Sequence, residues 1–319
     1  MPEYAVTLVL FFAGFFILVK GAQILVRGAS SIAKIFNVSS WFIGIVLVGV
    51  GTSIPELSIN VASALGGSSV GLSAIIGSNT FNLLVILGLS ALFVPFAIKQ
   101  RWLKDIWTNI GAVVLAAAVI LLPLLGGAGF AGIPRAEGAL LLGAFILWAA
   151  LVLRRDEQDG DGFDYEVFTV FTSLIMVAAG LVGVFLGGQW VVNGAEEMAL
   201  LMGVSPALVG LTAVAVGTSL PELTVSFIAI LRRQDGIALG NVIGSNIFDF
   251  TAILGIAALV NPVVVRESIR FDVMATLLAA GALLFVLRFV GKRNIVTRSG
   301  GLLLLALYAA YLVVIIMRG

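Results

Sequence analysis

Two short stretches hold the residues best suited to chemistry, Gly49-Val50-Gly51-Thr52-Ser53-Ile54-Pro55-Glu56 and Ala215-Val216-Gly217-Thr218-Ser219-Leu220-Pro221-Glu222. Each sets a carboxylate inside a long apolar run, where an acid is costly and marks a functional site by default. In a helix Thr52 and Glu56 share a face, as do Thr218 and Glu222. Pro55 and Pro221, read as mid-helix residues, have no N–H to donate and free the carbonyls four residues back, at Gly51 and Gly217. Unpaired carbonyls at membrane depth persist only where they line a cavity or bind something. Farther on, Ser78 and Asn82 lie one helical turn apart, and so do Ser245 and Asp249. All of these are hard oxygen donors, and the chain contains no Cys and no His. Such a set selects Ca2+, Na+ or K+ over Zn2+ or Cu2+. Ser53 and Ser219, in the same turns as the two acids, complete the candidate metal-binding residues.

The elements that must carry them are membrane spans. Of 319 residues 61% are hydrophobic and 11% charged, with a mean hydropathy of +1.17, far outside the range of an ordinary soluble domain. A span needs about 20 apolar residues. Ten fit, at 4–35, 40–65, 70–95, 105–125, 133–153, 165–202, 206–231, 237–260, 270–290 and 299–317. Met1-Pro2-Glu3-Tyr4 has no basic n-region, so the first run reads as a retained span and not a signal peptide. With the N-terminus outside, 14 of the 18 Lys and Arg collect inside, among them Lys20, Arg27, Lys34, Arg154 and Arg232, and only Arg135, Arg266, Arg270 and Arg318 stay outside. That asymmetry obeys the positive-inside rule. The expectation is an all-α polytopic protein of ten transmembrane helices in a cell membrane, with both termini outside and a cytoplasmic hinge loop at 154–164.

The chain also repeats itself. A shift of 166 residues places Gly14 on Gly180, Gln23 on Gln189, Gly44 on Gly210, and Thr52 to Glu56 on Thr218 to Glu222. After one extra residue, a shift of 167 places Gly77-Ser78-Asn79 on Gly244-Ser245-Asn246 and Asn82 on Asp249. An ordered set of Gly, Thr, Ser, Pro, Glu and Asn matches is not a product of apolar composition, so the chain is read as a duplication. Residues 1–153 hold the first five-helix repeat, with its motif at 44–95, and 165–319 hold the second, with its motif at 210–260. Five is odd, so the second repeat enters the membrane from the opposite face and the repeats are inverted. Glu56 and Glu222 are then expected to meet at the bilayer centre. Symmetry fails at Gly240-Asn241, where the first copy has Ser73-Ala74.

Carboxylates so placed cannot stand empty in hydrocarbon, nor hold Ca2+ and several Na+ together. If the protein changes its facing only when that charge is neutralised, exchange is obligatory and the class is antiport. The rivals are a channel lined by the same oxygens and a proton/calcium exchanger, in which protons neutralise the same pair. The bland reading of Glu56 and Glu222, protonated acids capping a helix break, is weakened by their occurring twice. An intramembrane protease would use Ser53 or Ser219, but there is no His and Lys20 lies far toward the inner end of its span, so no enzyme is expected. In the hinge Glu157, Asp159 and Asp161 alternate as in a calcium loop, yet Phe168 stands where an EF-hand places its closing Glu. A solvated linker is expected there.

On Gly51-Thr52-Ser53-Ile54-Pro55-Glu56 with Gly77-Ser78-Asn79 and Asn82, and on Gly217-Thr218-Ser219-Leu220-Pro221-Glu222 with Gly240-Asn241-Val242-Ile243-Gly244-Ser245-Asn246 and Asp249, the chain resembles the sodium/calcium exchanger family. The resemblance runs over nearly the full length. It implies that Glu56 and Glu222 ligate Ca2+ with Thr52 and Thr218. It implies flanking Na+ sites that draw on Ser78, Ser245 and the carbonyls of Gly49 and Ala215, with Asn82 and Asp249 beside the middle site. The first and sixth helices would slide against the remaining eight. An acid at Asp249 leaves K+ cotransport open. The implied partners are the lipid bilayer and transported Ca2+ and Na+, with H+ or K+ as alternatives. Neither a cofactor, nucleic acid nor a protein partner is implied, and a monomer suffices for transport.

Overall fold

Hydrocarbon offers no water to peptide groups, so a chain this apolar satisfies them within helices. The computed structural model describes residues 2–122, 132–154, 166–201, 217–267 and 269–318, and these are helical nearly throughout. The helices are α1 (Pro2–Ile35), α2 (Ser40–Thr52), α3 (Ile54–Leu65), α4 (Val70–Phe93), α5 (Leu103–Leu121), α6 (Arg135–Leu153), α7 (Val170–Leu201), α8 (Leu220–Leu231), α9 (Asp235–Val260), α10 (Ile269–Phe289) and α11 (Arg298–Arg318). Four two-residue strands, β1 (Phe96–Ala97), β2 (Gly132–Ile133), β3 (Val263–Val264) and β4 (Ile295–Val296), join some of their ends. Among the described residues eight helices are long and apolar enough to cross a membrane, and α2 with α3 makes a ninth, broken span. The shorter α8 is the described end of the expected seventh span, so the full ten are not counted among the described residues. All of the 154–164 hinge but Arg154 lies outside them, as do Gly210 and Ala215. The protein is an all-α, multi-pass membrane protein.

The chain forms two compact units, Met1–Thr52 with Glu157–Asn241, and Ser53–Asp156 with Val242–Gly319. Each unit draws on both sequence repeats. In the first, α1 and α7 are equivalent under the 166-residue shift, and they run antiparallel along a seam of glycines. Gly14, Gly21 and Gly28 recur every seven residues and so share one stripe of α1. A Cβ added at Gly14 would meet the Gly187 carbonyl at 3.0 Å, and one at Gly21 would meet the Gly180 carbonyl at 3.0 Å. Since Gly14 corresponds to Gly180 and Gly21 to Gly187, these are one contact made twice, as a two-fold axis requires. Small residues bring the two backbones together, which is how helices associate where lipid removes the hydrophobic driving force.

The second unit shows the same reciprocity. β1 corresponds to β3 under the 167-residue shift, and β2 to β4 at an offset of 163 residues. β1 pairs antiparallel with β4, Phe96 opposite Val296, while β3 pairs with β2, Val263 opposite Ile133. A Cβ at Gly88 on α4 would lie 3.0 Å from the Gly301 carbonyl of α11. One at the corresponding Gly255 on α9 would lie 2.9 Å from the Gly138 carbonyl of α6. Inversion of the repeats is thus written into the contacts of each unit separately.

The α1–α7 seam leaves no room for a side chain. Gly180→Leu, whose added Cβ would fall 2.6 Å from the Leu25 backbone nitrogen, should lower the melting temperature in detergent, overpacking of this kind costing about 1–3 kcal/mol. Gly143→Leu should melt like the parent, because a Cβ there meets nothing within 4 Å. Equal melting of the two variants would show that the seam does not hold the first unit together.

Candidate functional site

Both copies of the motif break the helix at the same place. α2 ends at Thr52 and α3 starts at Ile54, with Ser53 between them at φ −85° and ψ 7°. In the second copy Ser219 takes φ −91° and ψ 0° ahead of Leu220 and Pro221. The prolines therefore do not interrupt a helix from within, as the unbroken apolar run suggests. They open a new one, where the missing N–H would have had no partner anyway. The carbonyls of Ser53 and Ser219 accept from the backbone N–H of Leu57 and Leu223 at 3.1 and 2.9 Å. Glu56 and Glu222 consequently fall in the first turn of α3 and α8, where the positive end of the helix dipole favours a carboxylate.

The first unit holds Gly49, Thr52, Thr218, Ser219 and Glu222, all buried. Gly49 closes a π-helical stretch, Gly44–Gly49, within α2. The Thr52 hydroxyl lies 3.0 Å from Asn241 Oδ1 and 3.3 Å from the Gly49 carbonyl. Asn241 Nδ2 donates to the Glu222 carbonyl at 3.2 Å and to Ser226 Oγ at 2.9 Å. The Ser219 hydroxyl, fully buried, makes no hydrogen bond among the described residues.

The second unit holds Ser53, Glu56, Ser78, Asn82, Ser245 and Asp249, each at most 2% exposed. Asn79 Nδ2 donates to Asp249 Oδ2 at 3.0 Å, and Asn82 Nδ2 donates to Asn246 Oδ1 at 3.0 Å. Asn79 corresponds to Asn246 and Asn82 to Asp249, so this too is a reciprocal pair. At this crossing both α4 and α9 widen into π-helical turns, Asn82–Ile86 and Phe248–Ile253, a local departure that recurs at functional sites. The carbonyls of Asn82 and Asp249 accept from the N–H five residues on, at Leu87 and Leu254. Ser78 gives its proton to the Ile75 carbonyl at 3.1 Å and so offers oxygen lone pairs.

The amides share one polarity. Asn79 spends its nitrogen on Ile75 and Asp249, and Asn82 spends its own on Asn246, while the Oδ1 of each carries no hydrogen bond among the described residues. Buried acceptors left open are uncommon, and a cation is the ligand that asks for acceptors alone. Nowhere among the described residues do three or more carboxylates gather to hold a metal. An ion bound here would therefore take most of its oxygens from neutral groups.

Asn79 and Asn246 join the site beyond the residues expected from the sequence, although both stand in the repeated Gly-Ser-Asn. Their periodicity was the available signal. The bond from Asn60 Nδ2 to the Glu56 carbonyl at 2.8 Å and the partners of Asn241 emerge only from the structure. Ala215 lies outside the described residues.

The sequence profile of the family described as "Sodium/calcium exchanger protein" matches residues 6–154 and 172–317, one segment for each repeat. The chain belongs to the sodium/calcium exchanger family. Sodium/calcium exchanger MaX1 of Methanosarcina acetivorans is 31% identical over 349 aligned positions, covering 95% of this chain and 96% of that protein. The uncharacterized membrane protein MJ0091 of Methanocaldococcus jannaschii is 33% identical over 300, covering 93% and 94%. A solved structure of the sodium-calcium exchanger NCX_Mj, soaked with 10 mM Na+ and zero Ca2+, superposes with a TM-score of 0.83 at 30% identity, over 97% of this chain and 99% of that one. Membership places the molecule among membrane exchangers of cations and Ca2+, a family of transporters.

In this exchanger the amide cross-brace is open to a direct test. Asn79→Ala removes a donor from a buried carboxylate and should lower stability by about 1–3 kcal/mol, read as a melting shift. In an Asp249→Ala background the same change should cost far less, since contacting residues couple. Strictly additive losses would show that the two side chains do not support one another.

Proposed function

We propose that this exchanger moves Ca2+ one way and Na+ the other by alternating access at a midplane site formed from Glu56 and Glu222. Thr52 and Thr218 serve the Ca2+ position with the two acids. Ser78, Ser245 and the carbonyls of Gly49 and Ala215 serve flanking Na+ positions, with Ser53 and Ser219 beside them and Asn82 and Asp249 at the middle. Ala215 enters as the counterpart of Gly49. The observation that carries this reading is the polarity of the buried amides, with nitrogens committed to protein and the Asn79 and Asn82 oxygens open. The likeness to the sodium/calcium exchangers MaX1 and NCX_Mj supports Ca2+ and Na+ as the exchanged ions.

Ca2+ takes about 6–8 oxygens at roughly 2.3–2.6 Å, which two carboxylates with hydroxyls and carbonyls can supply. Since the donors are mostly neutral, binding is weak enough to permit release. Two acids in the hydrocarbon cannot cross unloaded, so each crossing carries either Ca2+ or Na+ and the cycle is an exchange. The glycine seam supports α1 and α7 moving as one piece. Both termini outside and a cytoplasmic hinge remain the orientation of choice. Arg27 and Arg232, counted on the same inner face, are close enough to repel: burial first, then Arg27, lowers the Arg232 guanidinium below its ordinary value. A monomer suffices, and the bound species are transported ions with no resident cofactor.

In reconstituted vesicles an imposed Na+ gradient at fixed pH should drive Ca2+ uptake. Glu56→Gln or Glu222→Gln should reduce it to background while inserting normally. Asp249→Asn should alter its dependence on Na+, and on K+ where K+ is included. Uptake driven by a pH gradient alone would replace sodium by protons, and Ca2+ flux needing no counter-ion would make the protein a channel.

A further inference from the structure

We propose that Asn241 is a positioning residue that makes the two copies of the motif unequal, by taking the Thr52 proton so that the Thr52 hydroxyl oxygen is presented to the bound cation. The proposal rests on the reading above, in which Thr52 ligates transported Ca2+.

A carboxamide has moved between helices in the two copies. Asn60 of α3 corresponds to Ser226 of α8, and Ala74 of α4 corresponds to Asn241 of α9. Both arrangements keep one bond: the Glu56 carbonyl accepts from Asn60 Nδ2 at 2.8 Å, and the Glu222 carbonyl accepts from Asn241 Nδ2 at 3.2 Å. In the first copy that amide lies on the same helix as its Glu. In the second it lies on the next helix, and its oxygen reaches Thr52 of the other repeat at 3.0 Å. Asn241 is fully buried, with Nδ2 shared between Glu222 and Ser226 and Oδ1 given to Thr52. Ser226 passes its own proton to the Ala238 carbonyl at 3.1 Å.

Local packing brings the amide there. Added Cβ atoms at Gly44 and Gly240 would lie 2.8 Å from the Ile237 carbonyl and 2.7 Å from the Trp41 carbonyl, so α2 and the first turns of α9 cross backbone on backbone. The first copy has Ser73 in place of Gly240 and Ala74 in place of Asn241. The first copy therefore carries no carboxamide at this place.

The chemistry follows from a hydroxyl having one proton and two lone pairs. To ligate a cation through oxygen it must direct the proton elsewhere, and Asn241 Oδ1 is nearer than the Gly49 carbonyl. With Asn241 in place, the Thr52 dipole is oriented before the ion arrives. The same amide ties it to the backbone of Glu222, so a ligand of each repeat hangs on one side chain.

The test uses the purified protein in detergent and reads the rise in melting temperature on titration with Ca2+ and, separately, Na+. Asn241→Ala should raise the half-effective Ca2+ concentration about five- to ten-fold, the worth of one hydrogen bond. The double variant Asn241→Ala/Ser226→Asn rebuilds the arrangement of the first copy and should recover stability without recovering Ca2+ response. Thr52→Val should be made no worse by adding Asn241→Ala. Recovery of Ca2+ response in the double variant would reduce Asn241 to a brace for the Glu222 carbonyl and overturn the proposal, as would additive effects with Thr52→Val. Failure of both Asn241 variants to fold would also overturn it. Equal shifts in parent and Asn241→Ala would sink this inference alone, whereas a parent that responds to neither ion would sink the exchange reading with it.

Discussion

A carboxylate in hydrocarbon must be offset by something, and the two motif glutamates set the terms for the rest of this molecule. Three local devices answer them. The helix is broken just before each acid, so Glu56 and Glu222 sit at the positive ends of α3 and α8. Their backbone carbonyls are bonded by side-chain amides, from Asn60 in one copy and Asn241 in the other. The Thr52 and Ser78 hydroxyls and the Asn79 and Asn82 amide nitrogens direct their protons to protein groups.

The second theme is reciprocity. In the first unit the Gly14–Gly187 approach is repeated as Gly21–Gly180. In the second, the β1–β4 pairing returns as β2–β3 and the Asn79–Asp249 bond as Asn82–Asn246. Each interaction evolved once serves twice, so the contacts that set the helix crossings are few in kind. Departures from the pattern then stand out. Asp249 against Asn82, and Asn241 against Ala74, are places where the halves have been allowed to differ in charge or in donor.

Much of this was legible in the residues. The apolar runs located the spans, because length and hydropathy are averaged over many positions. The duplication and its inversion followed from Gly, Thr, Pro, Glu and Asn recurring at fixed offsets, and Thr52, Glu56, Thr218 and Glu222 are buried. What the sequence concealed was local backbone. Pro55 looked like a kink inside a helix, whereas Ser53 is the joint and Pro55 the first turn of what comes next. The π-helical turns at Asn82 and Phe248 have no composition of their own. Asn79 and Asn60 were readable as polar residues in apolar helices, but which oxygen or nitrogen each presents is decided by neighbours far away in the chain.

The reciprocal contacts also bear on how the protein is made. Every exchanged pair joins a residue of the first repeat to one of the second, across separations such as 170 residues for Asn79 and Asp249. When the first five helices have been inserted, their glycine faces and buried amides have no counterpart yet, and lipid must cover them. Compaction therefore waits for the second half and depends on contacts of high sequence separation, which are slow to close and expose unfinished surfaces meanwhile. The same symmetry that economises on kinds of contact makes neither repeat a folding unit by itself.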